Sequence, residues 1–338
     1  MRVPARVAAA TTVTTCALCL TATAQAATLS YYVGGTRGQN VPAPVSPAEA
    51  QDFSGDAGAV AILYPRDFAP LIGSESLDDS VAVGRTALHQ AADPYIGVVG
   101  DKVVVVGVSQ GAVVAQLAKK DWATTRPAAT NVSFLTFGDP TNTDGGLLAK
   151  VPRPIALPGF LTPVKADDST RFASTTVAIE YDLLADAPDR PNPLSWVNAA
   201  MGGVYHHSTY TGDMAAQTTG VVRTETTNKA GGVTTHILVK TPKLPLVQPL
   251  RDMGVDENLV RAIERPLKKI VDAGYTGNRG NDVMTAGNKV RPGQTFRDRL
   301  EDTESRSTSG EVAHAEQPSP TDAPEPAPPP ADDPAPAA

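Results

Sequence analysis

Cysteine is all but missing: Cys16 and Cys19 are the two among 338 residues, and both fall within the first 26. That opening stretch has the layout of a secretory signal. Arg2 and Arg6 make a basic start, residues 7–20 are apolar or small, and Ala24-Gln25-Ala26 is a small-residue cleavage site. The apolar part is too short and too broken by threonines to span a membrane, and neither cysteine has the small residues before it that lipid attachment needs. Cleavage near Ala26 is therefore expected to leave a secreted chain with no cysteine and no transmembrane segment. Disulfides and thiolate-metal sites are then excluded, and stability in an oxidising exterior rests on core packing.

A basic excess is missing too. The formal net charge is −7, with no basic run and no interleaving of aromatic and basic residues, which argues against nucleic acid as a partner. There is no G-x-G-x-x-G and no Walker lysine, and no His, Cys or acidic cluster at metal spacing. Neither a cofactor nor a metal is expected. At the far end, residues 311–338 are almost wholly Pro, Ala, Asp and Glu, a composition that cannot bury enough apolar surface to fold. The expected organisation is a signal peptide over 1–26, one α/β domain over 27–290, and a disordered Pro/Ala/acidic tail over 291–338.

What is present centres on residues 102–114. Four consecutive valines, Val103 to Val106, read as a strand buried on both faces, as in the middle of a parallel sheet. The run ends in Gly107-Val108-Ser109-Gln110-Gly111, a G-x-S-x-G pattern, and Val113, Val114, Leu117 and Ala118 then recur at helical spacing. Strand, Gly-flanked turn and helix together predict a nucleophile elbow. A serine on so sharp a turn is strained, and residues two before and two after it must lack side chains for strand and helix to approach. Ser109 would stand beneath a helix N-terminus whose partial positive charge favours a developing oxyanion, with the N–H of Gln110 as one donor. A second donor is expected from Thr36, in the Gly34-Gly35-Thr36 turn after a first strand over 29–33.

Along the rest of the chain, residues 59–64 read as a buried strand and 76–91 as a helix containing His89, a plain packing or surface histidine. Residues 132–137 form a further strand that ends in Gly138-Asp139-Pro140. A proline-punctuated apolar loop over 150–168 offers Ile155, Leu157, Phe160 and Leu161 as the wall of an acyl pocket, with Phe160 and Leu161 as the candidate substrate contacts. Residues 175–181 alternate and deliver Asp182 at the strand end; Asp186 follows. Residues 193–201 look helical, then come His206 and His207. Residues 221–227 and 233–240 resemble a hairpin that carries His236. Residues 256–273 make an amphipathic helix through Leu259, Ile263, Leu267 and Ile270, with a kink expected at Pro266. Serine, then a strand-end aspartate, then a histidine is the chain order of α/β-hydrolases. The chemistry needs all three: the imidazole takes the serine proton and returns it to the leaving group, and the carboxylate holds the imidazole's tautomer and stabilises its cation.

The residues resemble the PE-PPE domain of actinobacteria, a cutinase-like serine α/β-hydrolase family. The resemblance runs through Gly34-Gly35-Thr36; Tyr64-Pro65 with Ser80, Val81 and Gly84; Gly107 to Ala112; Gly138-Asp139-Pro140 with Asp144-Gly145-Gly146; Tyr181-Asp182; His207 to Tyr210; and Leu244-Pro245-Leu246 with Gln248 to Arg251. It implies an α/β-hydrolase fold, with a mainly parallel central sheet flanked by helices, acting in the cell envelope. It also implies a triad of Ser109, Asp182 and His207, and matches Thr36 to the oxyanion loop by position. Here Tyr210 gives His207 the family's H-x-x-Y spacing, whereas His206 reaches Thr209. Asp139 stands where asparagine is expected and so offers an alternative acid. The implied substrate is a lipid or other acyl ester.

Three functions compete. One is a secreted serine esterase for medium- or long-chain acyl esters, and the second is an acyltransferase with a sugar or lipid hydroxyl as acceptor. The third is a catalytically silent envelope-binding module on the same fold. If Phe160 and Leu161 line the acyl pocket, Phe160→Ser with Leu161→Ser should penalise long-chain esters more than acetate. Each buried methylene is worth about 0.8 kcal/mol, so the slope of kcat/KM with chain length should flatten. An equal loss on short and long esters would contradict the assignment.

Overall fold

The computed structural model describes residues 28–37, 44–151 and 163–276; the expected signal segment, Phe160 and Leu161, and the acidic tail lie outside the described residues. The valine run becomes the interior of a sheet. β1 (Thr28–Val33), β3 (Lys102–Val108), β4 (Val132–Phe137) and β5 (Ala173–Ile179) pair in parallel. On the far side β7 (Val233–Val239) is parallel to β5, and β6 (Val221–Thr227) closes that side antiparallel to β7. At the other side stands the two-residue β2 (Val60–Ala61), so the order is β2-β1-β3-β4-β5-β7-β6. The fold is α/β, with a mainly parallel sheet.

Helices cover both faces. α2 (Leu77–Ala92), capped by Ser76, and α3 (Gln110–Thr125) bury one face against Tyr31, Val33, Val103, Val105 and Phe134. The other face packs Tyr32, Val106, Phe137, Val177 and Ile237 under α1 (Pro47–Ser54) and a 3-10 turn, Gly212–Ala216. A third cluster gathers Tyr181, Leu244, Val247, Val260 and Val271 between α5 (Pro193–Tyr205) and α7 (Glu257–Asp272). Short helices, α4 (Leu147–Lys150) and α6 (Gln248–Asp252), complete the chain order.

Three expectations are corrected. Residues 59–64 are not a buried strand: only Val60 and Ala61 pair, and Val60 and Leu63 are 49% and 63% exposed. An edge segment bonded on one side leaves its outer residues to solvent. α7 runs through Pro266 as one helix, but of its apolar stripe Leu259, Ile263 and Ile270 face outward, because Val260 and Val271 take the core side. β5 ends at Ile179, so Asp182 lies three residues past the strand, after a left-handed turn at Tyr181 with φ 68°.

The sheet positions the site through a close crossing of backbones. A Cβ on Gly107 would sit 2.6 Å from the Gly111 carbonyl oxygen, and one on Gly111 would sit 1.9 Å from that of Val33. The start of α3 therefore rests on the exit of β1. Gly111→Ala forces that contact apart, and overpacking of this kind costs about 1–3 kcal/mol or more. A thermal melt of Gly111→Ala is expected to fall by roughly 2 °C at least; an unchanged melt would contradict the crossing.

Candidate active site

Ser109 sits between β3 and α3 with φ 51° and ψ −113°, a backbone region that side chains avoid. Holding it there costs on the order of 1–3 kcal/mol, which the surroundings must offset. Its N–H donates to the Phe137 carbonyl at 2.9 Å and its carbonyl accepts from Ala112 N–H at 3.0 Å, so both sides of the turn are pinned. As the first residue of α3, Gln110 has an N–H with no intrahelical acceptor, directed where the helix end favours negative charge. Its buried side chain is anchored by Nε2 donating to the Asp67 carbonyl at 2.7 Å.

From the other half of the chain comes His207, two residues beyond the end of α5. Its Nε2 lies 2.8 Å from Ser109 Oγ, and its Nδ1 lies 2.8 Å from Asp182 Oδ2. Asp182 is wholly buried and is supplied with further donors. Leu184 N–H donates to Oδ1 at 3.0 Å, and the Tyr210 hydroxyl donates to Oδ2 at 2.8 Å while accepting Ile179 N–H at 2.9 Å. Burial first, and then the Asp182 charge, push the Tyr210 hydroxyl well above its ordinary pKa, so it stays a donor. Gly138, with φ 57°, makes the room: a Cβ there would lie 2.8 Å from the Tyr210 ring and 3.1 Å from His207 Cε1.

The Gly34-Gly35-Thr36 turn lies against the serine, since a Cβ on Gly35 would be 3.2 Å from Ser109 Cβ. Arg66, buried and at φ 59°, donates Nε–H to the Gly35 carbonyl at 2.6 Å. In a planar trans peptide, carbonyl and following N–H point in opposite directions, so this bond fixes the direction of the Thr36 N–H away from Arg66. Tyr64 donates its hydroxyl to the Gly34 carbonyl, and Asp67 accepts from Arg37 Nε at 2.8 Å and from Ser74 N–H at 2.9 Å. The Asp67 carboxyl is held below its usual range by those bonds, which outweigh its burial, the largest single influence. Sequence reasoning missed Arg66 and Asp67. Their signal is a left-handed arginine and contacts across the fold, neither of which a local pattern carries.

The remaining candidates lie elsewhere. Asp139 is wholly buried but bonds Gln116 Nε2 and both the N–H and hydroxyl of Thr141, not a histidine. Asp186 accepts Tyr181 N–H at 2.7 Å. His236, on β7, faces Asp144 at 3.5 Å. His89 is more than a plain packing residue, with Nδ1 and Nε2 each 2.9 Å from a carboxylate, those of Asp93 and Asp121. His206 caps the C-terminus of α5, and its Nε2 is buried with no hydrogen-bond partner among the described residues. Among the described residues no three His, Cys, Asp or Glu side chains gather as a metal site would require.

Comparison with known proteins follows the same lines. A family model described as the PE-PPE domain matches residues 55–276, well over half of the chain. Esterase PE16 of Mycobacterium tuberculosis is 38% identical over 229 residues, covering 65% of this chain and 43% of that protein. Diacyltrehalose acyltransferase Chp2 of the same organism is 32% identical over 247 residues, covering 65% of this chain and 64% of that protein. The chain spans about half the length of the relatives it matches. A solved structure of a cutinase-like protein from Cryptococcus sp. aligns over 47% of this chain and 78% of its own, at 16% identity and a TM-score of 0.30.

His206 gives a pH signature. Burial, the largest influence, lowers its pKa, although the Asp182 charge acts in the opposite sense. The unfolded chain takes this proton near the ordinary value of about 6.5, and the fold takes it only at lower pH. Between those values the unfolded state binds more protons, so stability falls as pH drops through that window. His206→Gln removes the effect. From about pH 7 to about pH 5 the variant's melting temperature should fall less than the parent's, whereas parallel curves would contradict the burial.

Proposed function

The chain belongs to the PE-PPE domain family, and from that membership we propose that it is a serine enzyme that cleaves medium- or long-chain acyl esters. Ser109 is the nucleophile, His207 the base and Asp182 the acid that orients it. The observation that carries the reading is the unbroken line from Ser109 Oγ through both nitrogens of His207 to Asp182 Oδ2, at 2.8 Å and 2.8 Å.

A serine hydroxyl is a poor nucleophile near neutral pH. As Oγ attacks the ester carbonyl carbon, its proton passes to His207 Nε2, and the imidazolium formed is stabilised by the buried Asp182 carboxylate. The carbonyl oxygen gains negative charge and is met by the N–H of Gln110 and that of Thr36, donors whose directions are already set by α3 and by Arg66. The tetrahedral species collapses when the alcohol oxygen leaves with the proton from Nε2, and the acyl group stays on Ser109. Water, deprotonated by the same nitrogen, then attacks the acyl carbon, and as the bond to Ser109 breaks Nε2 returns the proton to Oγ and the acid leaves. Phe160, Leu161 and the loop around them supply the acyl pocket in this reading.

Transfer to a sugar or lipid hydroxyl is the second reading, favoured by the likeness to Chp2, whose name is that of an acyltransferase. The first half-reaction is shared, and only the second nucleophile differs. Export and an envelope location fit both. No helix among the described residues is long and apolar enough to cross a membrane.

A fluorophosphonate should label Ser109 and nothing else, and Ser109→Ala should lose labelling together with turnover, on the order of a millionfold. His206→Gln should keep turnover and His207→Gln should lose it. Product analysis with a long-chain ester and excess sugar acceptor assigns hydrolysis or transfer. Substantial turnover by clean Ser109→Ala protein would overturn the mechanism, and a parent protein that neither labels nor turns over an ester would leave the silent binding module.

A further inference from the structure

α7 carries more apolar surface than the core beneath it takes up. Val260, Leu267 and Val271 pack on or within the cluster of Tyr181, Leu244 and Val247. At 3.6 residues per turn, Leu259, Ile263, Pro266 and Ile270 fall on the adjoining arc, within about 60° of one another. That arc is open to solvent: Leu259 is 54%, Ile263 38% and Ile270 51% exposed, and Pro266 is exposed with them. A soluble surface helix ordinarily gives such a stripe to the core and a polar face to water.

The border of the stripe away from the core is basic. Arg265 and Lys269 are exposed and have no carboxylate partner among the described residues, whereas nearby Arg251 pairs with Glu257 and Glu264, and Lys268 with Asp272. At its C-terminal end the stripe meets α5, where Asn192 Nδ2 donates to the Ile270 carbonyl at 2.7 Å. The first turns of α5 add Trp196 and Val197, 36% and 52% exposed. α5 then leads to His207 at its other end.

We propose that the outer face of α7, extended by Trp196 and Val197, docks the protein on a lipid surface bearing anionic head groups. The apolar stripe enters the acyl boundary, and Arg265 and Lys269 meet the phosphates. An apolar arc bordered on the water side by cations unpaired among the described residues, with a tryptophan at its end, is complementary to that interface in both hydrophobicity and charge. Docking goes beyond the reaction proposed for Ser109 and does not depend on it, so binding is read without turnover.

The test uses the full chain carrying Ser109→Ala, floated with vesicles of phosphatidylcholine alone or with about a third phosphatidylglycerol. Trp196 is the reporter, because Trp122, the other tryptophan, is fully buried. Mixed vesicles are expected to carry the protein up and shift its emission to the blue. Leu259→Gln with Ile263→Gln and Ile270→Gln should weaken partition at least tenfold with an unchanged melting temperature, since these side chains are outside the core. Arg265→Gln with Lys269→Gln should cost roughly fivefold per cation on the mixed vesicles and little on the neutral ones. Absence of binding to either vesicle, or binding that the triple variant leaves intact, would overturn the proposal. So would a dimer in light scattering that the triple variant abolishes, which would make the face a contact between copies of the chain.

Discussion

A carboxylate kept wholly from solvent governs the C-terminal half of this site. Asp182 has its charge met by three donors, the N–H of Leu184, the hydroxyl of Tyr210 and Nδ1 of His207. A buried charge is tolerated only when its oxygens are bonded, and removing a donor leaves a desolvated group unsatisfied. Each donor therefore fixes more than itself. Tyr210 is held in turn by Ile179, the last residue of β5, and His207 is held by the ending of α5. The imidazole is thereby presented to Ser109 by the sheet and by a helix together, and little freedom is left to it.

The N-terminal half depends on backbone proximity. Ser109 is forced into a strained conformation because α3 must start where β1 leaves the sheet, and glycines at 107 and 111 allow that crossing. The same proximity brings Gly35 against the serine, and Arg66 then decides which way its peptide faces. The proposed hole uses main-chain N–H groups, which are rigid because the peptide plane is rigid, and such donors need no reorganisation as charge develops. The two halves meet at Gly138, where the absence of a side chain lets His207 and Tyr210 reach across β4.

Much of this was legible in the residues, for physical reasons. A β-branched run followed by Gly-x-Ser-x-Gly admits few backbones, so the strand, turn and helix around Ser109 could be read directly. The proposed acid and base could not be read so directly. Asp139, Asp182 and Asp186 all stand near strand ends, and only long-range contacts separate them: Asp139 is consumed by Gln116 and Thr141, and Asp186 by the Tyr181 N–H. His206 and His207 are neighbours whose side chains part at the end of α5, and the H-x-x-Y spacing chose between them where periodicity could not. Tyr210 was marked by that spacing, yet its bond to Asp182 is a contact across 28 residues that spacing does not describe. Two misreadings share one cause. Val60 and Leu63, and the α7 stripe, are apolar by pattern and exposed by placement, because hydropathy records what a residue prefers and not which neighbour arrives to cover it.

In the proposed mechanism Ser109 and His207 act as one unit, and a double-variant comparison reads that coupling. Turnover of a soluble acyl ester is measured for Ser109→Ala, His207→Gln and the pair combined, against the parent protein. If the serine proton passes to the imidazole in the step that matters, either single variant removes the unit, and the double variant is no slower than the slower single. Losses that multiply in the double variant would mean that the two residues act independently, which contradicts proton transfer between them.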